Sequence, residues 1–195
     1  MYENKYKNPE HSNIEDLNNF LNLIADTNEP LELFAIGGTA MLLKNIKEST
    51  KDIDFLTTEK YEKVKKILSL AGLKEESPNK ICNIWRLNKL RIDFFYDGFI
   101  MGIPFPNDWK ELSEKVAEIG KINLYILNWY DIIITKISRS EERDIKDIID
   151  IIKSQKLDFK LLKERYYSIA ETSLISDFDY KFKHLEREYD ERKTN

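Results

Sequence analysis

The chain has 195 residues, 42% hydrophobic and 34% charged, and its 31 basic and 35 acidic residues leave a formal net charge of −4. That balance argues against nucleic-acid binding through a dominating positive field, though a local basic patch is compatible with it. A single cysteine, Cys82, excludes an internal disulfide framework, and two distant histidines, His11 and His184, form no Cys/His set of the zinc-binding kind. The segment "HSNIEDLNNFLNLIADT" (11–27) carries Ile14, Leu17, Leu21 and Ile24 at helical spacing, and Ser12 followed by Glu15 makes a capping box. "LELFAI" (31–36) reads as a strand ending at Gly37-Gly38, and "TAMLLKNI" (39–46) as a short helix. A strand over 52–57 and a helix across "EKYEKVKKILSLAG", stopping near Gly72, follow.

"ICNIWRL" (81–87) and "LRIDFFY" (90–96) are strand-like runs joined by Asn88-Lys89, a hairpin signal. Residues 97–106 are loop-rich, 108–118 suggest a helix, and "KINLYIL" (121–127) is the last strand. From Asn128 onward the pattern is helical. The expected fold class is α+β: a mixed sheet with flanking helices, then helices alone, with domains at 1–127 and 128–195. No run approaches the roughly 18 apolar residues of a membrane span. "MYENKYKNPEHSN" does not read as a signal peptide. A soluble, cytoplasmic protein with no membrane association is therefore expected.

Two features carry chemistry. In "STKDIDFL" (49–56) Asp52 and Asp54 stand one residue apart among strand-forming apolar residues. Side chains alternate along a strand, so the two carboxylates share a face while Ile53 and Phe55 take the other. Asp93 interrupts a second apolar strand between Ile92 and Phe94. If these strands are neighbours, three carboxylates converge and repel one another unless a cation joins them. Hard oxygen ligands of this kind suit Mg²⁺, as one or two ions. The plainer reading is a solvated strand face, with Asp93 paired to Arg91. The second feature is "FAIGGTAMLL", in which a strand meets two glycines and then a helix opening with Thr39. Such a turn lets the backbone approach a phosphate, with Thr39 adding a hydroxyl. A plain strand-to-helix turn is the alternative. Together, a phosphate cradle and three carboxylates can hold a nucleoside triphosphate and its metal.

"IGGTAMLL", "STKDIDFL" and "LRIDFF" resemble the motifs of the nucleotidyltransferase superfamily typified by DNA polymerase β. The tail "DIIITKISRSEERDIKDIIDII" resembles a narrower group that includes nucleotidyltransferase toxins of abortive-infection toxin–antitoxin systems. The resemblance spans about residues 31–152. It implies that Gly37, Gly38 and Thr39 bind nucleotide phosphates, that Asp52 and Asp54 ligate metal, and that Asp93 ligates a second metal and helps deprotonate the acceptor. It further implies that Lys136 reaches the triphosphate and that Asp144 or Asp147 matches the last acidic motif. Read locally, Arg143–Asp147 and Lys146–Asp150 are instead surface i,i+4 pairs. Relatives often carry an arginine just before the Asp-x-Asp; here Lys47 and Lys51 are the nearby cations.

The expectation is Mg²⁺-dependent transfer of an NMP group from an NTP to a hydroxyl of tRNA or protein, with pyrophosphate released. An antitoxin protein partner is implied by resemblance alone. Two alternatives stand beside it: a catalytically silent nucleotidyltransferase fold that senses nucleotide or binds a partner, and a metal-dependent phosphodiesterase. Trp85, Trp109 and Trp129 are assigned to packing, and Cys82 to a small buried hydrophobe rather than a nucleophile.

Overall fold

The computed structural model describes residues 11–77 and 82–192. Helix α1 (Ile14–Ala25) buries Leu17, Phe20, Leu21 and Ile24. Its cap is Asn13, not Ser12: the Asn13 side chain accepts from the Glu15 and Asp16 N–H groups, and Asp16 accepts from the Asn13 N–H. Ser12 is drawn away because its backbone pairs with Thr50 in both directions, at 2.7 and 2.8 Å. That bridge anchors the loop before the Asp-x-Asp.

Next come β1 (Leu31–Ala35), α2 (Gly37–Leu43), β2 (Ile53–Thr57), α3 (Tyr61–Leu70), β3 (Lys74–Ser77), β4 (Cys82–Leu87) and β5 (Leu90–Tyr96). Ile81, the first residue of the expected strand 81–87, lies outside the described residues, as do Met1–Glu10 of the N-terminal segment. Asn88 turns the β4–β5 hairpin with φ +54°, the left-handed conformation that asparagine tolerates. A small hairpin of β6 (Phe99–Ile100) and β7 (Ile103–Pro104) occupies the loop-rich stretch. Strands β8 (Glu114–Ile119) and β9 (Ile122–Ile126) follow, then α4 (Trp129–Arg139), α5 (Glu142–Gln155), α6 (Phe159–Ala170) and α7 (Phe178–Glu191).

The main sheet runs β3-β4-β5-β2-β1-β9-β8. It is mixed: β2 lies parallel to β5 and β1 parallel to β9, while the other neighbours are antiparallel. The α+β class, with helices alone at the C-terminal end, is the one the sequence pattern implies. The helix expected over 108–118 does not form. Glu114–Ile119 pairs with β9 as the outer strand, so sheet hydrogen bonding overrides the helical propensity of "ELSEKVAEIG". Strand β3, "KEES", had no strand signal and forms the opposite edge. Both edges are therefore charged strands, the composition that discourages further pairing.

One apolar cluster joins sheet and helices, including Phe20, Phe34, Phe55, Phe94, Ile133, Ile148 and Phe182. Trp85, Trp109 and Trp129 belong to it as expected. A polar clamp lies within this packing. Arg165 on α6 donates to both oxygens of Asp131 on α4, at 2.7 and 2.8 Å, and also to Asp108 at 3.0 Å. Among the described residues, no helix is long and apolar enough to cross a membrane.

Candidate active site

The site begins with backbone geometry. Strand β1 ends at Ala35, and Gly37 opens α2 with φ +53°, a conformation that L side chains rarely adopt. The Ile36 N–H donates to the Asp54 carbonyl at 3.2 Å, while the Asp54 N–H donates to Thr39 Oγ1 at 2.8 Å. Both backbone groups of Asp54 are thus tied to the glycine turn. "IGGT" and "KDID" are one structural unit.

This corrects the expected start of the helix at Thr39. The helix opens at Gly37, two residues earlier than the sequence suggests, which turns Thr39 inward. It is fully buried and does not line the cavity. Its hydroxyl accepts from the Asp54 N–H and so positions Asp54. Thr39→Val should leave the Asp54 N–H without its partner and cost about 1–3 kcal/mol, with Thr39→Ser retaining most of it; urea unfolding measures the difference.

Gly38 is small for another reason. A Cβ there would stand 2.0 Å from Thr50 Oγ1 and 2.8 Å from Thr50 Cβ. Gly38→Ala should therefore destabilise the fold by about 1–3 kcal/mol. The double variant Gly38→Ala/Thr50→Gly should lose less than the sum of its singles, which a double-mutant cycle reads directly.

Strands β2 and β5 place Asp54 directly beside Asp93 in parallel register. Asp52, just before β2, lines the same cavity of about 550 Å³, together with Gly37, Gly38, Lys51, Lys136 and Asp147. Burial, then the charges of Asp93 and Asp52, push the Asp54 carboxyl up to about 7. The donors of the cluster are hard oxygens that repel one another, so it fits a divalent cation. As placed, no three His, Cys, Asp or Glu side chains among the described residues stand together in metal-holding geometry. Asp93 has both oxygens on Arg91, at 2.8 Å each. The plainer sequence reading of Asp93, paired to Arg91, is thus what the structure shows.

The far wall comes from α4 and α5. Lys136 is nearly buried and donates to Asp147 at 2.7 Å; Lys47 reaches the same carboxylate at 2.7 Å. Burial raises the Asp147 pKa, but Lys136 and Lys47 outweigh it and hold the carboxyl below its usual range. Asp147 is therefore no surface partner of Arg143, which pairs with Glu141 at 2.8 Å. Asp144 is also buried, but it does not line the cavity. It accepts two hydrogen bonds from Arg139, at 2.6 and 3.0 Å, and one from the Glu141 N–H. Arg139 and Arg143 line the cavity at the α4–α5 corner, where Ser140 takes φ +59°. Both belong to "SRSEER" (138–143), a segment whose sequence fits a phosphate-contacting loop and a plain helix–helix connection equally well; the structure shows the connection, with both arginines on the cavity wall. Phe95, Ile100 and Met101 give the cavity an apolar lip. Burial pushes the Cys82 thiol up to about 12, away from the reactive thiolate form.

Residues 12–195 match the model of a family described as nucleotidyltransferases of unknown function (DUF6036). The chain belongs to that family. This nucleotidyltransferase also shares its fold with solved structures. The crystal structure of ANT(2'')-Ia in complex with adenylyl-2''-tobramycin is 12% identical at a TM-score of 0.57, over 80% of this chain and 96% of that one. The solution structure of the antibiotic-resistance factor ANT(2'')-Ia is 14% identical at 0.57, over 90% and 96%. JHP933 from Helicobacter pylori is 13% identical at 0.43, over 91% of each chain. At such identities the likeness to the two ANT(2'')-Ia structures is one of fold alone. No curated protein matches this nucleotidyltransferase significantly in sequence.

Proposed function

We propose that the protein transfers an NMP group from an NTP to an acceptor hydroxyl, with Asp52, Asp54 and Asp93 holding one or two Mg²⁺ ions. The observation that carries this reading is the parallel register of Asp54 beside Asp93, in one cavity with Asp52 and the glycine turn. Bound there, Mg²⁺ supplies Lewis-acid stabilisation of charge on the phosphates. Gly37 and Gly38 admit the triphosphate close to the backbone, and Lys51 and Lys136 supply positive charge from opposite walls. Arg139, held rigidly by Asp144, adds the guanidinium that is absent just before the Asp-x-Asp. Asp147 keeps Lys136 and Lys47 in place. Asp93 takes the proton of the acceptor hydroxyl; that oxygen bonds to the α-phosphorus as the bond to the bridging oxygen breaks, and pyrophosphate leaves. Residues 128–195 act as the helical domain that closes one side of the cleft over the core of 1–127.

The acceptor is proposed as a hydroxyl of tRNA or protein, in keeping with the toxin-like resemblance, with an antitoxin as the protein partner of such a toxin. The fold neighbour bound to adenylyl-tobramycin adds a small-molecule hydroxyl as a reading to be tested beside it. The purified protein, incubated with Mg²⁺ and each α-labelled NTP, is offered total tRNA, a protein extract or an aminoglycoside. Label moving to one acceptor with wild type, and not with Asp52→Ala/Asp54→Ala, is the expected result. Label moving equally with both proteins overturns the proposal.

A further inference from the structure

Arg91 stands two residues before Asp93 on β5, on the same face. Its Nε and Nη2 donate to the two Asp93 oxygens at 2.8 Å each, and Nε lies 3.6 Å from Asp52 Oδ1. One guanidinium therefore spans two of the three carboxylates that are proposed to hold metal. The other cavity arginines are engaged elsewhere: Arg139 by Asp144, Arg143 by Glu141. Across the hairpin, Arg86 sits directly opposite Arg91 and pairs with Glu76 at 2.8 Å, away from the cluster. Arg91 remains about 30% exposed, so its long side chain has solvent to swing into.

We infer that Arg91 is a built-in counter-ion, which holds Asp93 and Asp52 while no metal is bound and must release them for a divalent cation to enter. The inference rests on the reading of Asp52, Asp54 and Asp93 as metal ligands. A guanidinium and a divalent cation compete for the same oxygens, and Asp93 cannot accept a proton from an acceptor until the guanidinium has left. Arg91 is thus a positioning residue that sets the balance between a closed carboxylate cluster and a metal-ready one. Once displaced, it stays on the cavity wall as a further cation for the phosphates.

The test is Mn²⁺ binding to the full chain without nucleotide, followed by electron paramagnetic resonance, in wild type, Arg91→Gln, Arg91→Lys and Asp54→Asn. Removing a competing charge a few ångströms from the site should tighten Mn²⁺ binding by about tenfold in Arg91→Gln. Arg91→Lys keeps the charge but loses the two-pronged grip, so it should fall between Arg91→Gln and wild type. An arginine that served only to stabilise the strand would give equal or weaker Mn²⁺ binding when removed, and that result overturns the inference while leaving the metal reading intact. If wild type and both Arg91 variants bind no Mn²⁺, or if Asp54→Asn binds it as well as wild type does, the metal reading itself fails and the inference falls with it. Should Arg91→Gln not fold, the direction of the Arg91→Lys shift decides.

Discussion

Asp54→Asn should abolish nucleotidyl transfer and, in the same protein, raise the melting temperature measured without metal. The two effects share one cause. Asp54 is pushed up to about 7 by burial and by Asp93 and Asp52, so its ionised form is costly until a cation arrives. Asparagine keeps the size of the side chain and the backbone ties to Thr39 and Ile36, and removes one of three crowded charges. Losing a ligand of the proposed metal removes several kcal/mol of transition-state stabilisation, a rate loss on the order of 10³-fold. Relief of repulsion should raise the melting temperature by about 2–4 °C, the change that roughly 1 kcal/mol produces in a chain of this size. Steady-state rates and calorimetric melts with chelator present read the two effects separately. A variant that loses activity and stability together would point to misfolding instead.

The largest stability effect should come from outside the site. Arg165→Met strips the fully buried Asp131 of the guanidinium that binds both its oxygens. Breaking a buried pair from one side costs about 3–5 kcal/mol, because a charge is left without compensation. Arg165→Met/Asp131→Leu should recover most of that loss, since an apolar pair of similar volume removes the stranded charge. The effect has a definite pH sign. Burial raises the Asp131 pKa in the folded protein despite Arg165. A carboxyl with a raised folded-state pKa contributes stability below its unfolded value and loses it as pH rises through the folded one. Removing Arg165 raises that pKa further, so the Arg165→Met penalty should be smaller at pH 5 than at pH 8. Denaturant unfolding at the two pH values checks this; a pH-independent penalty would show that Asp131 does not titrate there.

What was legible in the sequence follows from the range of the forces involved. Alternation along a strand set Asp52 and Asp54 on one face, and the apolar runs around Asp54 and Asp93 marked two interior strands that do lie side by side. Asn88 marked its turn, and Gly72 the end of α3. Edge strands were not legible. "KEES" and "EKVAEI" carry the charge that protects a sheet edge, and that charge hides the apolar alternation by which strands are recognised. The start of α2 lies two residues earlier than the sequence suggests, enough to turn the Thr39 hydroxyl inward. The α4–α5 wall was half legible. Lys136 and Asp147 lay in a recognisable tail, but nothing local distinguishes Asp147, which lines the cavity, from Asp144, which holds Arg139 behind it. The Arg165–Asp131 clamp joins positions 34 residues apart and leaves no local trace.

The central claim is that the carboxylate cluster and the glycine turn together hold a metal–triphosphate complex. Calorimetric titration of a non-hydrolysable NTP, with and without Mg²⁺, into wild type and Asp54→Asn tests it most directly. Binding that requires Mg²⁺ in wild type and is lost in Asp54→Asn is the predicted result. Nucleotide binding of equal strength in both proteins, indifferent to Mg²⁺, would contradict it.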